Sequence, residues 1–244
     1  MSRTQPLLVI GGTRGTGLLV ALHAARRGAA VRVLARDAAR AARRLDPSIE
    51  IVQGDITRRD TLLAGVSGAC TIVLTAGCRS GRPAREATVR ATEFEGVRNV
   101  LDAAKESGFR GRLLYMTASA VARRSFSTLA LNLYKGNTLL WRRRAEDEIR
   151  RSGLDYTIIR AGFLLNAEGG RRGILLTQEP LPSIWHPIAR EDLAEAFLAA
   201  AEHPNASHAT FDVAWSRQPR EPWEMLFEGL EPDMESRGDH RFGA

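Results

Sequence analysis

Leu7-Leu8-Val9-Ile10 runs straight into Gly11, Gly12, Gly15 and Gly17, and an amphipathic segment, Leu18 to Arg27, follows at once. This order reads as strand, glycine turn and helix, the arrangement that holds a dinucleotide pyrophosphate. The first glycine permits the tight turn. The later ones bring backbone and helix N-terminus up to phosphates with no Cβ in the way. The candidate phosphate loop is therefore Gly11, Gly12, Thr13, Arg14, Gly15, Thr16 and Gly17, with a spacing, Gly11-x3-Gly15-x-Gly17, that departs from the commonest fingerprint. A second β-branched run, Val31 to Leu34, ends in Arg36-Asp37, and Arg36 lies 19 positions after Gly17. A ribose-reading residue belongs about 20 residues on.

The residue at that place is an arginine. An acidic side chain would accept from the ribose hydroxyls of NAD, whereas a guanidinium offers donors to the 2′-phosphate of NADP. Arg14 can approach the same phosphate, so NADP(H) is expected over NAD(H). The competing reading of Arg36 is a solvated surface arginine, and Asp37 either caps the next helix or offsets the charge. In GDIT, Asp55 has two readings: acceptor for the adenine amino group with Ile56 packed on the ring, or N-cap for a helix beginning near Thr57.

The first 160 residues alternate short apolar runs with longer amphipathic segments. Candidate strands are Leu7–Ile10, Val31–Leu34, Ile49–Val52, Thr71–Thr75, Arg112–Thr117 and Tyr156–Arg160. Candidate helices are Gly15–Arg27, Ala38–Leu45, Arg59–Leu63, Glu86–Ser107 and Leu139–Ser152. This alternation predicts an α/β, Rossmann-like, doubly wound parallel sheet. The glycine loop, Asp55, Thr75-Ala76-Gly77 and Thr117-Ala118-Ser119 then line one edge, the strand C-termini where such sheets bind ligands. Gly77 there serves either close cofactor approach or a plain turn. Beyond Gly162 the pattern changes. Asn166 to Pro182 reads as a loop-rich insertion, Arg190 to Ala201 as a helix, Thr210–Val213 as a strand and Pro222 to Leu230 as a short helix. Residues 1–230 are expected to form one domain with a small C-terminal substrate lobe from about Phe163, and 231–244 a frayed tail.

Charge tempers one alternative. The chain carries 35 basic against 28 acidic residues, a net +7, and its only lysines are Lys105 and Lys135. The arginines are interspersed with Asp and Glu, as from Arg142 to Arg151, with no aromatic-interleaved basic strip. No nucleic-acid partner is expected. No apolar run reaches the roughly 20 residues of a membrane span, and Met1 to Pro6 is too short and polar for a secretion signal, so a cytoplasmic protein without a membrane partner is expected. Cys70 and Cys78 read as small half-buried thiols, and no His/Cys/Asp cluster has metal spacing.

GGTRGTG, ARD, GDIT, LTAG, YMTASAV and SGLDYTIIRAGFL together resemble the short-chain dehydrogenase/reductase superfamily, in its atypical, NmrA-like NAD(P)H-binding branch. The similarity spans approximately the first two hundred residues and is most specific over LLWRRRAEDEIRRSGLDYTIIRAGFLL. It implies a Rossmann core, NADP binding and a substrate lobe from the C-terminal third. It also implies that the backbone of Ala161 and Gly162, with Phe163, lies beside the nicotinamide amide; Phe163 otherwise reads as a core phenylalanine. Ser119 matches the superfamily serine, a donor to a substrate carbonyl, or else simply closes its strand.

The superfamily's Tyr-x3-Lys pair is absent. By position its basic residue becomes Arg142 and its tyrosine Thr138, whose hydroxyl is too weak an acid to substitute. Tyr134, one helical turn earlier, either supplies a phenol or is a loop or core aromatic. Arg142 either binds the ribose or holds an acidic substrate. His186 reads as an acid or as a structural histidine. The expected function is NADPH-dependent reduction of a small carbonyl, enone, quinone or flavin-like acceptor by a monomer or homodimer. The alternatives are an NADP(H)-sensing regulator without turnover and a redox-neutral isomerase or cyclase.

Overall fold

The structure, a computed structural model, describes residues 5–78, 85–122, 132, 134–181 and 186–234. Its strands are β1 (Leu7–Ile10), β2 (Val31–Ala35), β3 (Glu50–Gln53), β4 (Thr71–Leu74), β5 (Arg112–Ala118), β6 (Asp155–Ala161), β7 (Phe163–Leu165), β8 (Gly173–Thr177), β9 (Pro187–Ala189) and β10 (Ala209–Ser216). Eight of them form one sheet in the order β3-β2-β1-β4-β5-β6-β10-β8, while β7 and β9 pair separately. All neighbours in the large sheet are parallel except β8, which runs antiparallel to β10. The chain reverses direction across the sheet between β1 and β4, the crevice that open α/β sheets use for ligands.

Helices cover both faces: α1 (Gly15–Arg26), α2 (Ala38–Ala42), α3 (Leu63–Val66), α4 (Glu86–Arg90), α5 (Gly96–Glu106), α6 (Thr138–Arg150), α7 (Arg190–Glu202) and α8 (Trp223–Glu228). Strand alternation divides the core. Val9, Val33, Val73, Leu114, Ile159 and Phe211 pack with α1 and α7. Leu8, Ile10, Leu34, Ile72, Leu74, Leu113 and Ile158 pack with α3, α5 and α6. With both faces covered, a central strand such as Leu7–Ile10 is apolar at every position.

Three sequence expectations are corrected. The stretch from Asn166 is not only loop: β8 joins the main sheet there, with Leu176 opposite Val213. Gly173 opens β8 because a Cβ would lie 2.0 Å from the Gln218 carbonyl oxygen. The helices expected over Ala38–Leu45 and Arg59–Leu63 shrink to α2 and to a 3-10 turn, Arg59–Thr61, followed by α3. Fraying does not begin at Glu231. Asp233 accepts from Arg150 (3.1 Å), the Tyr156 hydroxyl (3.0 Å) and Thr210 (2.5 Å), and Glu231 N–H donates to Gln178 at 2.9 Å. The rest of that expected tail, 235–244, lies outside the described residues.

Polar side chains also hold α6 to the sheet. Glu146, fully buried on α6, accepts from Arg160 of β6 at 2.6 Å and from Arg150 at 3.2 Å. Removing one partner of a buried ion pair strands the other charge and costs about 3–5 kcal/mol. Glu146→Ala is therefore expected to lower the thermal midpoint by roughly 6–20 °C. An unchanged midpoint in circular dichroism would show that this carboxylate does not anchor α6.

Candidate cofactor and active site

The four glycines of the first turn have separate jobs. A Cβ on Gly11, which has φ +93°, would stand 2.6 Å from the Ala76 nitrogen, and one on Gly17 would stand 2.3 Å from Thr75 Oγ1 and 2.5 Å from the Gly11 carbonyl oxygen. These two let β1, the start of α1 and the end of β4 touch. Thr75 seals the contact, its N–H and hydroxyl both donating to the Ile10 carbonyl oxygen, at 2.9 and 3.2 Å. Gly12 is pressed against Val33. Gly15 differs: its φ of +57° needs a glycine, yet a Cβ there would meet only Arg190 Nη1, 3.9 Å away.

The N-terminus of α1 is correspondingly open. Arg14 at the N-cap makes no side-chain capping bond, and the first turn carries no acidic residue. Thr16, 2% exposed, has a buried hydroxyl without a hydrogen-bond partner among the described residues. Unpaired N–H groups, the positive end of the helix and a spare hydroxyl form a cradle for an anion. A dinucleotide diphosphate fits these groups. Thr13 is partly buried and Arg14 exposed beside them.

At the end of β2, Arg36 is exposed and makes no hydrogen bond or ion pair among the described residues. Asp37 caps α2, accepting from the Arg40 N–H at 2.9 Å. Asp55 closes a local turn, its Oδ1 accepting from the Thr57 N–H and hydroxyl, each at 2.9 Å. Ile56 follows at the same turn. Its side chain is 7% exposed and packs against Gly96 in α5, so it belongs to the core.

Ala76 and Gly77 continue from β4 against a charged pair. Arg142 on α6 donates to Glu93 through Nε at 3.0 Å and Nη2 at 3.2 Å, and Glu93 also accepts from the Cys78 N–H at 2.8 Å. Burial opposes the Arg142 charge, but Glu93, Tyr115 and Glu146 together outweigh it and raise the arginine pKa. Arg142 thus comes to the rim already paired, which sequence reading missed. Glu93 is 2% exposed and sits in a π-helical segment, Ala91–Glu95, between α4 and α5. Such segments cluster at functional sites.

On β5 and beyond, Thr117 and Ser119 are 3% and 2% exposed, and both hydroxyls lack partners among the described residues. Tyr134 stands 49% exposed before α6, with no hydrogen bond among the described residues. Ala161 is buried, Gly162 partly buried, and Phe163 is 52% exposed, so it is not a core phenylalanine. Phe163 N–H donates to the His186 carbonyl oxygen at 2.9 Å, bringing β9 to the same rim. Sequence reading also passed over Asp212, a fully buried carboxyl on β10. A single charge inside FDVAW was the available signal.

The chain belongs to the NAD(P)H-binding family, whose model matches residues 11–204, in accord with the atypical short-chain dehydrogenase/reductase resemblance. Sanguinarine reductase of Eschscholzia californica is 35% identical over 123 residues, covering 50% of this chain and 44% of that protein. A chloroplastic Arabidopsis thaliana relative is 28% identical over 182 residues, covering 68% of this chain and 55% of its own length. The chain thus spans about half the length of these curated relatives. Among solved structures, an anaerobilin reductase from Escherichia coli O157:H7 superposes with a TM-score of 0.70 at 21% identity, over 88% of this chain and 100% of that one. A Veillonella parvula short-chain dehydrogenase/reductase in complex with NADP gives 0.66 at 14%, over 88% and 98%. These likenesses show the Rossmann fold. Among the described residues no helix is long and apolar enough to cross a membrane. Several relatives are chloroplastic by name, so they lend no support to the cytoplasmic expectation.

The open α1 cradle has a direct check. Gly15→Ala has room for its methyl group and pays mainly the left-handed backbone cost of about 1–2 kcal/mol, lowering the midpoint by roughly 2–8 °C. Binding of NADP(H) by calorimetry should weaken roughly tenfold or more, the worth of one displaced charge-assisted hydrogen bond. Unaltered affinity in the folded variant would move the diphosphate elsewhere.

Proposed function

We propose that this chain is an NADPH-dependent reductase of a small carbonyl, enone, quinone or flavin-like acceptor. The observation that carries the reading is the uncapped N-terminus of α1 beneath Gly15, with the unpaired Arg36 guanidinium exposed at the end of β2. In this reading the N–H groups of Gly15, Thr16 and Gly17 bind the diphosphate, and Arg36, helped by Arg14, binds the 2′-phosphate. Thr75, Ala76 and Gly77 give the cofactor a backbone wall, with Asp55 and Thr117 on the same rim. Ala161, Gly162 and Phe163 flank the nicotinamide. When bound, NADPH supplies a hydride.

The protein's remaining tasks are to align the acceptor, keep water out and manage a proton. Ser119 polarises the acceptor oxygen. Arg142, held by Glu93, keeps a fixed positive charge beside Gly77. Tyr134 is the remaining phenol candidate, and its exposure gives it no fixed partner. Two relatives named as reductases support the reductase reading over an isomerase or cyclase. The missing Tyr-x3-Lys pair favours the other alternative, an NADP(H)-sensing regulator that binds without turnover.

Two measurements separate these. Steady NADPH oxidation across a panel of quinones, enones and free flavins supports the reductase, while tight binding with no oxidation of any acceptor supports the regulator. Arg36→Ala should weaken NADP(H) by about ten- to a hundredfold, the value of a charge-assisted phosphate contact of about 1.5–3 kcal/mol, and leave NAD(H) nearly unchanged. Equal losses for both cofactors would remove Arg36 from the phosphate site.

A further inference from the structure

The row of side chains one step beneath the rim holds an acid that nothing has claimed. Thr117 on β5, Arg160 on β6 and Asp212 on β10 share one register across the sheet. Ser119 lies two residues nearer the strand C-termini. Asp212 is fully buried, and neither of its oxygens has a well-formed hydrogen bond among the described residues; the Ser119 hydroxyl, likewise without one, is the donor close enough to favour the Asp212 carboxylate. An unpaired buried carboxylate is costly, so evolution retains one only where something repays it or where it is neutral.

The surroundings explain why this acid goes without a cation. Arg160, its neighbour in the register, turns to Glu146, contacting both carboxylate oxygens at 3.3 and 2.6 Å. Glu146 holds Arg150 as well. The one nearby carboxylate that sits between two arginines keeps them, and Asp212 is left out. The groups facing Asp212 are the Ser119 hydroxyl, Arg160 on β6, Glu146 on α6 and His186 ahead of β9. Burial is the largest influence and pushes the carboxyl up to about 6, with Glu146 adding to it; Ser119, Arg160 and His186 pull the other way. The acid therefore holds its proton below about pH 6, far above the range of an ordinary carboxyl, and exchanges it close to neutral pH.

Resting on the reductase reading above, we infer that Asp212 and Ser119 form the proton relay that stands in for the missing tyrosine. Asp212 acts through Ser119, as a positioning and proton-holding residue. The acceptor carbon takes the hydride from the reduced nicotinamide, and the acceptor oxygen takes the Ser119 hydroxyl proton. The Asp212 carboxyl proton refills the hydroxyl, and the carboxylate regains its proton from water. One hydride and one proton enter the acceptor, giving an alcohol or hydroquinone and the oxidised cofactor. Ser119 follows directly on the end of β5, so the relay leads from Asp212 toward the strand C-termini, the edge to which Gly162 and Phe163 belong.

The test has two arms. In the cofactor-free protein, the carboxyl infrared band that distinguishes wild type from Asp212→Asn should report a neutral acid at pH 5 and a carboxylate at pH 8. Ser119→Ala should move that titration upward, because the hydroxyl favours the charged form. His186→Asn, the control for the imidazole, should keep the band. In the second arm, NADPH oxidation with menadione as the probe acceptor is followed against pH. Wild-type kcat should fall as pH rises through the carboxyl titration. Asp212→Asn should lose that dependence and about a hundredfold in kcat, with the KM for NADPH unchanged. Asp212→Glu should restore part of both, and Ser119→Ala with Asp212→Asn should cost no more than either alone. An Asp212 ionised throughout, or an Asp212→Asn variant with wild-type kcat and profile, overturns the relay and leaves the reductase standing. No NADPH oxidation by wild type with any acceptor of the panel overturns the reductase reading and the relay with it.

Discussion

Everything at the ligand edge depends on how closely α1 approaches β1 and β4. Gly11 and Gly17 leave no room for a Cβ against Ala76 and Thr75. Any larger residue would push the helix off the sheet and carry its N-terminus away from the crevice. The same contact orients the first turn of α1, whose N–H groups receive neither a capping side chain nor an acidic neighbour. A helix start normally meets its unpaired donors with a local acceptor. Here the sequence gives that place to Arg14, and the family to which the chain belongs accounts for what replaces the cap.

A second layer of organisation lies under the edge, between the sheet and α6. Its charges are matched with economy: Glu146 with Arg160 and Arg150, Asp233 with Arg150, Glu93 with Arg142. The last of these also fixes the Cys78 backbone beyond β4. Against that pattern Asp212 stands out as a buried carboxyl with no ion-pair partner among the described residues. The buried Tyr115 and Thr117 hydroxyls likewise have no well-formed hydrogen bond among the described residues. Burial raises the Tyr115 pKa, so its phenol stays protonated.

Much of this was legible in the chain itself, and for physical reasons. Leu7–Ile10 is apolar throughout because both faces of a parallel sheet are buried, and Arg190–Glu202 shows its apolar Leu193, Ala194, Phe197 and Leu198 because it is packed against the sheet, α1 and α8. The glycine turn was readable as a phosphate loop, although sequence did not separate the packing glycines, Gly11 and Gly17, from the open one, Gly15. β8 was hidden because its apolar run is only three residues long, Ile174 to Leu176, and the Arg171-Arg172-Gly173 before it looks like loop. Asp233 was hidden because its three partners, Arg150, Tyr156 and Thr210, come from three distant segments. The packing of Ile56 was hidden too, because the Gly96 that admits it to the core lies 40 residues further along the chain. Arg142 was found by position, but its partner Glu93 lies 49 residues away and no local pattern connects them.

The central claim is that the first turn of α1 holds a cofactor diphosphate and that Arg36 selects its phosphorylated ribose. A crystal structure grown with NADP+ tests it most directly. The account predicts diphosphate oxygens within hydrogen-bond distance of the Gly15, Thr16 and Gly17 N–H groups, and the 2′-phosphate against the Arg36 guanidinium. Density for the diphosphate away from that turn, or a 2′-phosphate pointing into solvent clear of Arg36, would contradict it.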